Sequence, residues 1–77
     1  MKIELAELRE VFVTTFSLSQ IPDDISKLKI NDLEEWDSLG NFSLLLAIED
    51  RFDIKFDLNE MSDIISVEAI LVALGRK

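Results

Sequence analysis

The sequence contains neither cysteine nor histidine among its 77 residues. The absence of cysteine excludes disulfide bonds and thiolate catalysis, and the absence of histidine removes the commonest general base and metal ligand. Any thiol chemistry must therefore be supplied by another molecule. Because the sequence also lacks a triad-like constellation, we do not expect an enzyme.

Glycine and proline are scarce, at two residues and one residue, whereas hydrophobic residues make up 48% of the chain. This composition is typical of a packed helical protein and not of a disordered segment. No apolar stretch approaches the length that spans a bilayer, and residues 1–4 lack the apolar block of a signal peptide. We therefore predict a single domain over residues 1–77 that is cytoplasmic and does not insert into membranes.

Positive charge is in deficit, with 8 Lys and Arg residues against 16 Asp and Glu residues and a net charge of −8. Nucleic acids and anionic membranes would repel such a chain, so neither is an expected partner. Basic protein surfaces are the natural partners. The alternative is that the negative charge only keeps a small domain soluble.

The spacing of apolar residues predicts an all-α fold, a small four-helix bundle with a long loop between helices 1 and 2 and a short third helix. The first helix is predicted over residues 3–16, with an apolar stripe formed by Leu5, Leu8, Phe12 and Phe16. Residues 17–37 have no sustained period and contain Pro22, which predicts an ordered loop with room for one short helical turn. Isolated apolar residues can pin this loop to the bundle: Ile21, Ile25, Leu28, Ile30 and Leu33.

The second helix is predicted over residues 38–52, and local capping signals place the other two. Asp57 and Glu60 have the spacing of a capping box, which predicts the short third helix. Ser66 is placed to cap the fourth helix, and Gly75 fits its C-terminal cap. Two basic residues suit the negative end of that helix dipole: Arg76 and Lys77. We expect one shared core, formed by Leu5, Phe12, Phe16, Leu44, Ile48, Phe52, Ile70 and Leu74.

The second helix has two apolar faces. At about 100° per residue, one face is an ordinary core face, formed by Leu44, Leu45, Ile48 and Phe52. The other face is formed by Leu39, Phe42 and Leu46, beside Glu49 and Asp50. Since little chain is available to cover it, we expect this second face to be partly exposed and to serve as a docking surface. The alternative is a helix buried on two sides.

Ser38 lies where the polar loop gives way to the second helix, in the run Glu35-Trp36-Asp37-Ser38-Leu39-Gly40. A side-chain oxygen at a helix N-terminus faces unpaired backbone N–H groups and the positive end of the helix dipole, which would stabilise an attached phosphodiester. On local sequence alone, Ser38 reads instead as an N-cap residue, a role that Asp37 also fits.

Three motifs stand out along the chain: Asp37-Ser38-Leu39 at the start of an acidic helix, residues 47–52 (Ala-Ile-Glu-Asp-Arg-Phe) and the Ser66-Val67 start of the fourth helix. Through these motifs, and over nearly its whole length, the chain resembles the acyl carrier proteins. The resemblance implies that a phosphopantetheinyl transferase esterifies Ser38 with 4′-phosphopantetheine from coenzyme A, between the flanking Asp37 and Leu39. The thiol of that group holds acyl intermediates as thioesters, and the interior of the bundle is expected to shelter them.

The resemblance also assigns a surface to partner enzymes with basic docking faces, which are acyl-loading, condensing or acyl-transfer enzymes. That surface comprises Leu39, Phe42, Leu46, Glu49 and Asp50. Gly40 and Ser43 stand where housekeeping fatty-acid carriers have acids. The run around Ser38 therefore looks more like freestanding carriers of specialised polyketide, nonribosomal peptide, lipid-modification or surface-polysaccharide pathways. Fatty-acid biosynthesis is the alternative pathway that the resemblance leaves open. We expect a monomer.

Two alternatives from other classes remain open at this point. The first is an acidic helical interaction module that uses the same helix without a prosthetic group. The second is a metal site at the paired acids Asp23-Asp24 and Glu34-Glu35. Their spacing is not that of a calcium loop and no His or Cys assists, so we predict no metal.

Overall fold

The chain is all-helical in a computed structural model that describes residues 4–76. Its helices are α1 (Leu5–Phe16), α2 (Ser38–Phe52), α3 (Leu58–Asp63) and α4 (Val67–Gly75). Within this range no strand forms, and a single antiparallel bridge joins Lys29 to Ser66. The predicted all-α class is confirmed. Two predicted positions, Ile3 in the first helix and Lys77 after the fourth, lie outside the described residues.

Side-chain caps fix the starts of α3 and α4. Asp57 and Glu60 form the predicted capping box, in which each side chain accepts a hydrogen bond from the other's backbone N–H. The Ser66 hydroxyl accepts a hydrogen bond from the Ala69 N–H at 3.0 Å, as predicted for the fourth helix.

None of the described helices has the length and apolar character needed to cross a bilayer.

The predicted role of Gly75 as the C-terminal cap is wrong. Gly75 is the last residue of α4, and Arg76 closes the helix in a right-handed conformation with φ of −88°. A glycine is needed at a helix end when the chain turns there through the left-handed region, and α4 makes no such turn. Non-glycine residues instead make that turn after α1 and α2: Ser17 and Asp53.

One cluster of buried side chains joins the helices. Among the predicted core residues, those that lie in the middle of a helix or in the last turn of α4 are fully buried: Phe12, Leu44, Ile48, Ile70 and Leu74. Leu5, Phe16 and Phe52 are only partly buried and pack against the edge of the cluster, which corrects their predicted place in the core. Each of them is the first or last residue of its helix, where fewer neighbours cover a side chain.

Residues 17–37 connect α1 to α2 without a helix of their own. Their apolar side chains insert into the cluster, and both Ile25 and Trp36 are completely buried. The Trp36 ring packs edge-on against Phe12, with ring centroids 5.0 Å apart. Arg9 of α1 holds the middle of the connection by donating hydrogen bonds to the carbonyl oxygens of Ile21 and Pro22, each at 3.0 Å. The segment that leads to Ser38 is therefore anchored at several points.

Candidate functional site

The start of α2 is fixed by Asp37 and not by Ser38. The Asp37 carboxylate accepts a hydrogen bond from the Gly40 N–H at 2.7 Å, and its carbonyl oxygen accepts one from the Asn41 N–H at 2.7 Å. Ser38 is the first residue inside the helix. The interpretation of Ser38 as the N-cap is therefore wrong, and its hydroxyl is not used to hold the helix together.

Ser38 presents an exposed hydroxyl that has no hydrogen-bond partner among residues 4–76. The first two N–H groups of the helix, at Ser38 and Leu39, likewise have no acceptor within that range. Free N–H groups and the positive end of the helix dipole lie beside the hydroxyl, next to the Asp37 carboxylate that caps the helix. The arrangement can accept a negatively charged group attached to the Ser38 oxygen.

A chain of buried hydrogen bonds holds the segment on the N-terminal side of Ser38. The indole Nε1 of Trp36 donates to the side-chain oxygen of Asn41 at 2.8 Å, and the Asn41 side-chain nitrogen donates to the Ile64 carbonyl oxygen at 2.9 Å. The Asn31 N–H donates to the Trp36 carbonyl oxygen at 2.7 Å. These bonds tie the long connection, α2 and the turn before α4 together, because buried polar groups are costly to leave unpaired.

Gly40 is required by a close approach of the backbone. A Cβ atom at this position would overlap the carbonyl oxygen of Glu35. Any side chain at residue 40 would therefore push the segment that contains Trp36 and Asp37 away from α2. Gly40 thus has a packing cause of its own.

The second apolar face of α2 is exposed, which makes the alternative of a helix buried on two sides wrong. The exposed fractions are 81% for Leu39, 48% for Phe42 and 44% for Leu46. We call these three residues the exposed strip of α2. Asp50 is also exposed and follows Leu46 by one helical turn, so that a carboxylate lies at the C-terminal end of the strip.

Glu49 lies beside the strip but is nearly buried, which corrects the expectation that it presents an exposed carboxylate there. It is only 9% exposed, and its carboxylate accepts a hydrogen bond from the Phe56 N–H at 2.7 Å. The physical reason is that Glu49 borders the buried arc of α2, and the chain folds back after the helix so that the Phe56 backbone approaches it. Glu49 therefore joins α2 to the segment before α3.

A groove of about 340 Å³ opens beside Ser38 between α2 and α3. Ser38 is one of its lining residues, and most of the others are apolar: Ile30, Phe42, Leu45, Leu58, Met61 and Ile65. Asn41 and Ser62 supply its remaining polar atoms. We call it the Ser38 groove. It gives a flexible group attached to Ser38 an apolar surface to lie against.

The structure brings together most of the residues that the sequence singled out. Asp37, Ser38 and Leu39 adjoin at the start of α2, and the rest of the exposed strip runs along the same helix to Asp50.

Sequence reasoning missed Trp36 and Asn41. A polar residue on the buried arc of α2 and a tryptophan directly before the Asp37-Ser38 pair were signals of a buried hydrogen bond, since a buried indole N–H needs a partner.

One of the paired acids considered as metal ligands, Asp24, is hydrogen-bonded to a residue close by in the sequence. Asp24 accepts a hydrogen bond from the Ser26 N–H at 3.0 Å. Hydrogen bonds from the Ser26 side chain and backbone lower the pKa of the Asp24 carboxyl. Among the residues that the structure describes, no three potential metal ligands gather in one place.

No family model, curated protein or solved structure matches the chain. The features that bear on its function are therefore its own residues. The exposed hydroxyl of Ser38, at a helix start fixed by Asp37 and beside an apolar groove, is the most specific of them.

Proposed function

We propose that the chain is a carrier protein of the acyl carrier type. In this proposal a 4′-phosphopantetheine group from coenzyme A is esterified to Ser38 and presents acyl intermediates as thioesters to partner enzymes. The observation that carries the proposal is the exposed, unbonded hydroxyl of Ser38 at the first position of α2. The sequence around Ser38 favours a specialised biosynthetic pathway, and the all-helical fold is compatible with such a carrier.

The residues at the start of α2 fit such a group. The free N–H groups of Ser38 and Leu39 and the helix dipole favour the negative charge of a phosphodiester. The Asp37 carboxylate lies close by, but it accepts the Gly40 N–H and remains engaged as the cap. When bound, the group supplies the thiol that a chain without cysteine lacks.

The chain itself acts by holding the Ser38 oxygen in a defined place. With no histidine in the sequence, Ser38 has no base of its own, so a transferase must remove its proton. The bonds from Trp36 to Asn41 and onward to Ile64 fix the backbone on either side of that oxygen. A fixed attachment point lets the hydroxyl enter a transferase site without a search through loop conformations.

Recognition by partner enzymes is proposed to run along the exposed strip of α2. Leu39 and Phe42 follow the attachment point within about one helical turn, and Leu46 extends the apolar surface towards Asp50. An apolar strip next to a carboxylate fits a partner face with apolar pockets and a basic rim. On a chain of net charge −8, attraction to basic faces would accelerate encounter.

The test is the intact mass of the protein after incubation with a phosphopantetheinyl transferase and coenzyme A. The wild type is expected to gain the mass of one phosphopantetheine, and Ser38→Ala is expected to gain none. Ser43→Ala is the matched control, because Ser43 is exposed on the same helix. A wild-type protein that gains no mass with transferases of broad specificity would favour the alternative, an interaction module without a prosthetic group.

A further inference from the structure

A second groove, of about 640 Å³, lies between α3 and α4. It shares no lining residue with the Ser38 groove. Asn59, Glu60 and Asp63 of α3 face this second groove, whereas Leu58 and Met61 face the groove beside Ser38. The helix therefore separates two grooves, and both can be occupied at the same time. We call the second one the α3–α4 groove.

The α3–α4 groove has an apolar floor. Ile64 and Ala73 are buried beneath it, Ala69 is partly buried, and Val72 is half exposed within it. The exposed fraction of Val72 is 51%, high for a branched apolar side chain in the middle of a helix. Because Ala69 and Ala73 have short side chains, another backbone can approach α4 closely at this point.

Acidic side chains form the rim. Four carboxylates line the groove against one cation, Arg76: Asp57, Glu60, Asp63 and Glu68. Asp57 and Glu60 are engaged in the capping box. Asp63 and Glu68 are exposed, and neither forms an ion pair within residues 4–76, where the ion pairs are Arg9–Asp23 and Arg51–Glu10. The mouth of the groove is therefore negatively charged and poorly compensated.

We infer that the α3–α4 groove docks a basic amphipathic segment of a partner protein. A helix with apolar side chains on one face and lysine or arginine on the flanks would cover Val72 and place its cations against Asp63 and Glu68. The charge complementarity selects this occupant over an acidic or neutral segment. The site does not involve Ser38, so it is independent of the proposed attachment of a prosthetic group.

The experiment is a titration of the isotopically labelled 77-residue chain, monitored through its backbone amide resonances. The probe is a synthetic amphipathic helical peptide of leucine and lysine, roughly 14 residues long and so about four turns. A peptide of the same pattern with glutamate in place of lysine is the charge control. Saturable shifts centred on Ala69, Val72 and Ala73, which weaken with added salt and are absent with the glutamate peptide, are expected.

Three variants decide whether the binding belongs to this groove. Val72→Gln removes the exposed apolar side chain, and the double variant Asp63→Asn with Glu68→Gln removes the unpaired charges. Each is expected to weaken peptide binding about tenfold. Leu46→Gln, the same type of change in the exposed strip of α2, is the matched control and is expected to leave binding at the groove unchanged. All four positions are exposed, so the fold is preserved.

The inference would be overturned by shifts centred on Phe42 and Leu46 that disappear in Leu46→Gln, or by affinities that both groove variants leave unchanged. It would also be overturned if the chain alone showed concentration-dependent shifts at Val72 and sedimented as a dimer, since a second copy would then be the occupant. The peptide titration does not measure modification of Ser38. A negative result in it would therefore leave the proposed carrier function unaffected.

Discussion

The indole N–H of Trp36 donates a hydrogen bond to the side-chain oxygen of Asn41 at 2.8 Å, and both side chains are buried. Trp36 ends the long connection and Asn41 lies in the first turn of α2, so this bond spans Ser38. The other end of the Asn41 amide donates to Ile64, before α4. One side chain thus joins three parts of the fold next to the proposed attachment point.

Asn41→Ala should therefore destabilise the protein. The substitution leaves the buried Trp36 N–H and the Ile64 carbonyl oxygen without their partner, which costs roughly 1–3 kcal/mol for each such group. Asn59→Ala, at an exposed asparagine, should change the free energy of unfolding by less than about 0.5 kcal/mol. Urea denaturation followed by circular dichroism measures both. Equal stabilities of the two variants would show that the bond is energetically unimportant.

The two glycines of the chain should respond differently to replacement by alanine. Gly40→Ala forces a Cβ against the Glu35 carbonyl oxygen and should lower both stability and the rate of modification by the transferase. Gly75→Ala meets no atom within 4 Å and replaces glycine at the end of α4, so it should be neutral or stabilising by up to about 1 kcal/mol. A Gly40→Ala protein with wild-type stability and modification rate would contradict the proposed packing role.

Glu49 and Asp50 are adjacent acids with different expected roles. Glu49→Ala removes the buried carboxylate that accepts the Phe56 N–H and should cost roughly 1–3 kcal/mol of stability. Asp50→Ala should leave stability within about 0.5 kcal/mol of wild type and should slow modification by a basic transferase at low salt. Thermal unfolding and modification kinetics at two ionic strengths check both expectations. Interchanged phenotypes would place Glu49 in the docking surface after all.

The stability lost on truncating a core side chain should increase with how completely that side chain is buried. Phe12→Ala removes a completely buried ring that contacts both Phe16 and Trp36, and it should cost roughly 3–5 kcal/mol. Phe52→Ala removes a partly buried ring at the end of α2 and should cost clearly less. The midpoints of denaturant unfolding compare the two directly. A larger loss for Phe52 would contradict its position at the edge of the cluster.

Local features of the fold could be predicted from the sequence because their causes are local. The bounds of α2 follow from its apolar period, and the caps at Asp57 and Ser66 depend on residues three positions away. The sequence carries local signals of the bond between Trp36 and Asn41, but the burial of both side chains depends on how a 21-residue connection folds back onto α2. The burial of Glu49 has the same cause, since its hydrogen-bond donor lies beyond the end of the helix.

Some features of the candidate site could likewise be predicted from local sequence, and others could not. The position of Ser38 at a helix start and the apolar character of Leu39, Phe42 and Leu46 could be predicted from spacing alone. Their exposure followed from the small amount of chain available to cover α2. The choice of Asp37 over Ser38 as the cap, and the Ser38 groove formed with α3, required the three-dimensional arrangement.

Ser38 is the proposed attachment point of a single phosphopantetheine group. The most direct measurement is the fragment mass spectrum of the wild-type protein after reaction with a phosphopantetheinyl transferase and coenzyme A. A single added phosphopantetheine on the peptide that contains Ser38, localised to that residue, is the predicted result. Modification at another residue such as Ser43, or an unmodified peptide after exhaustive reaction, would contradict it.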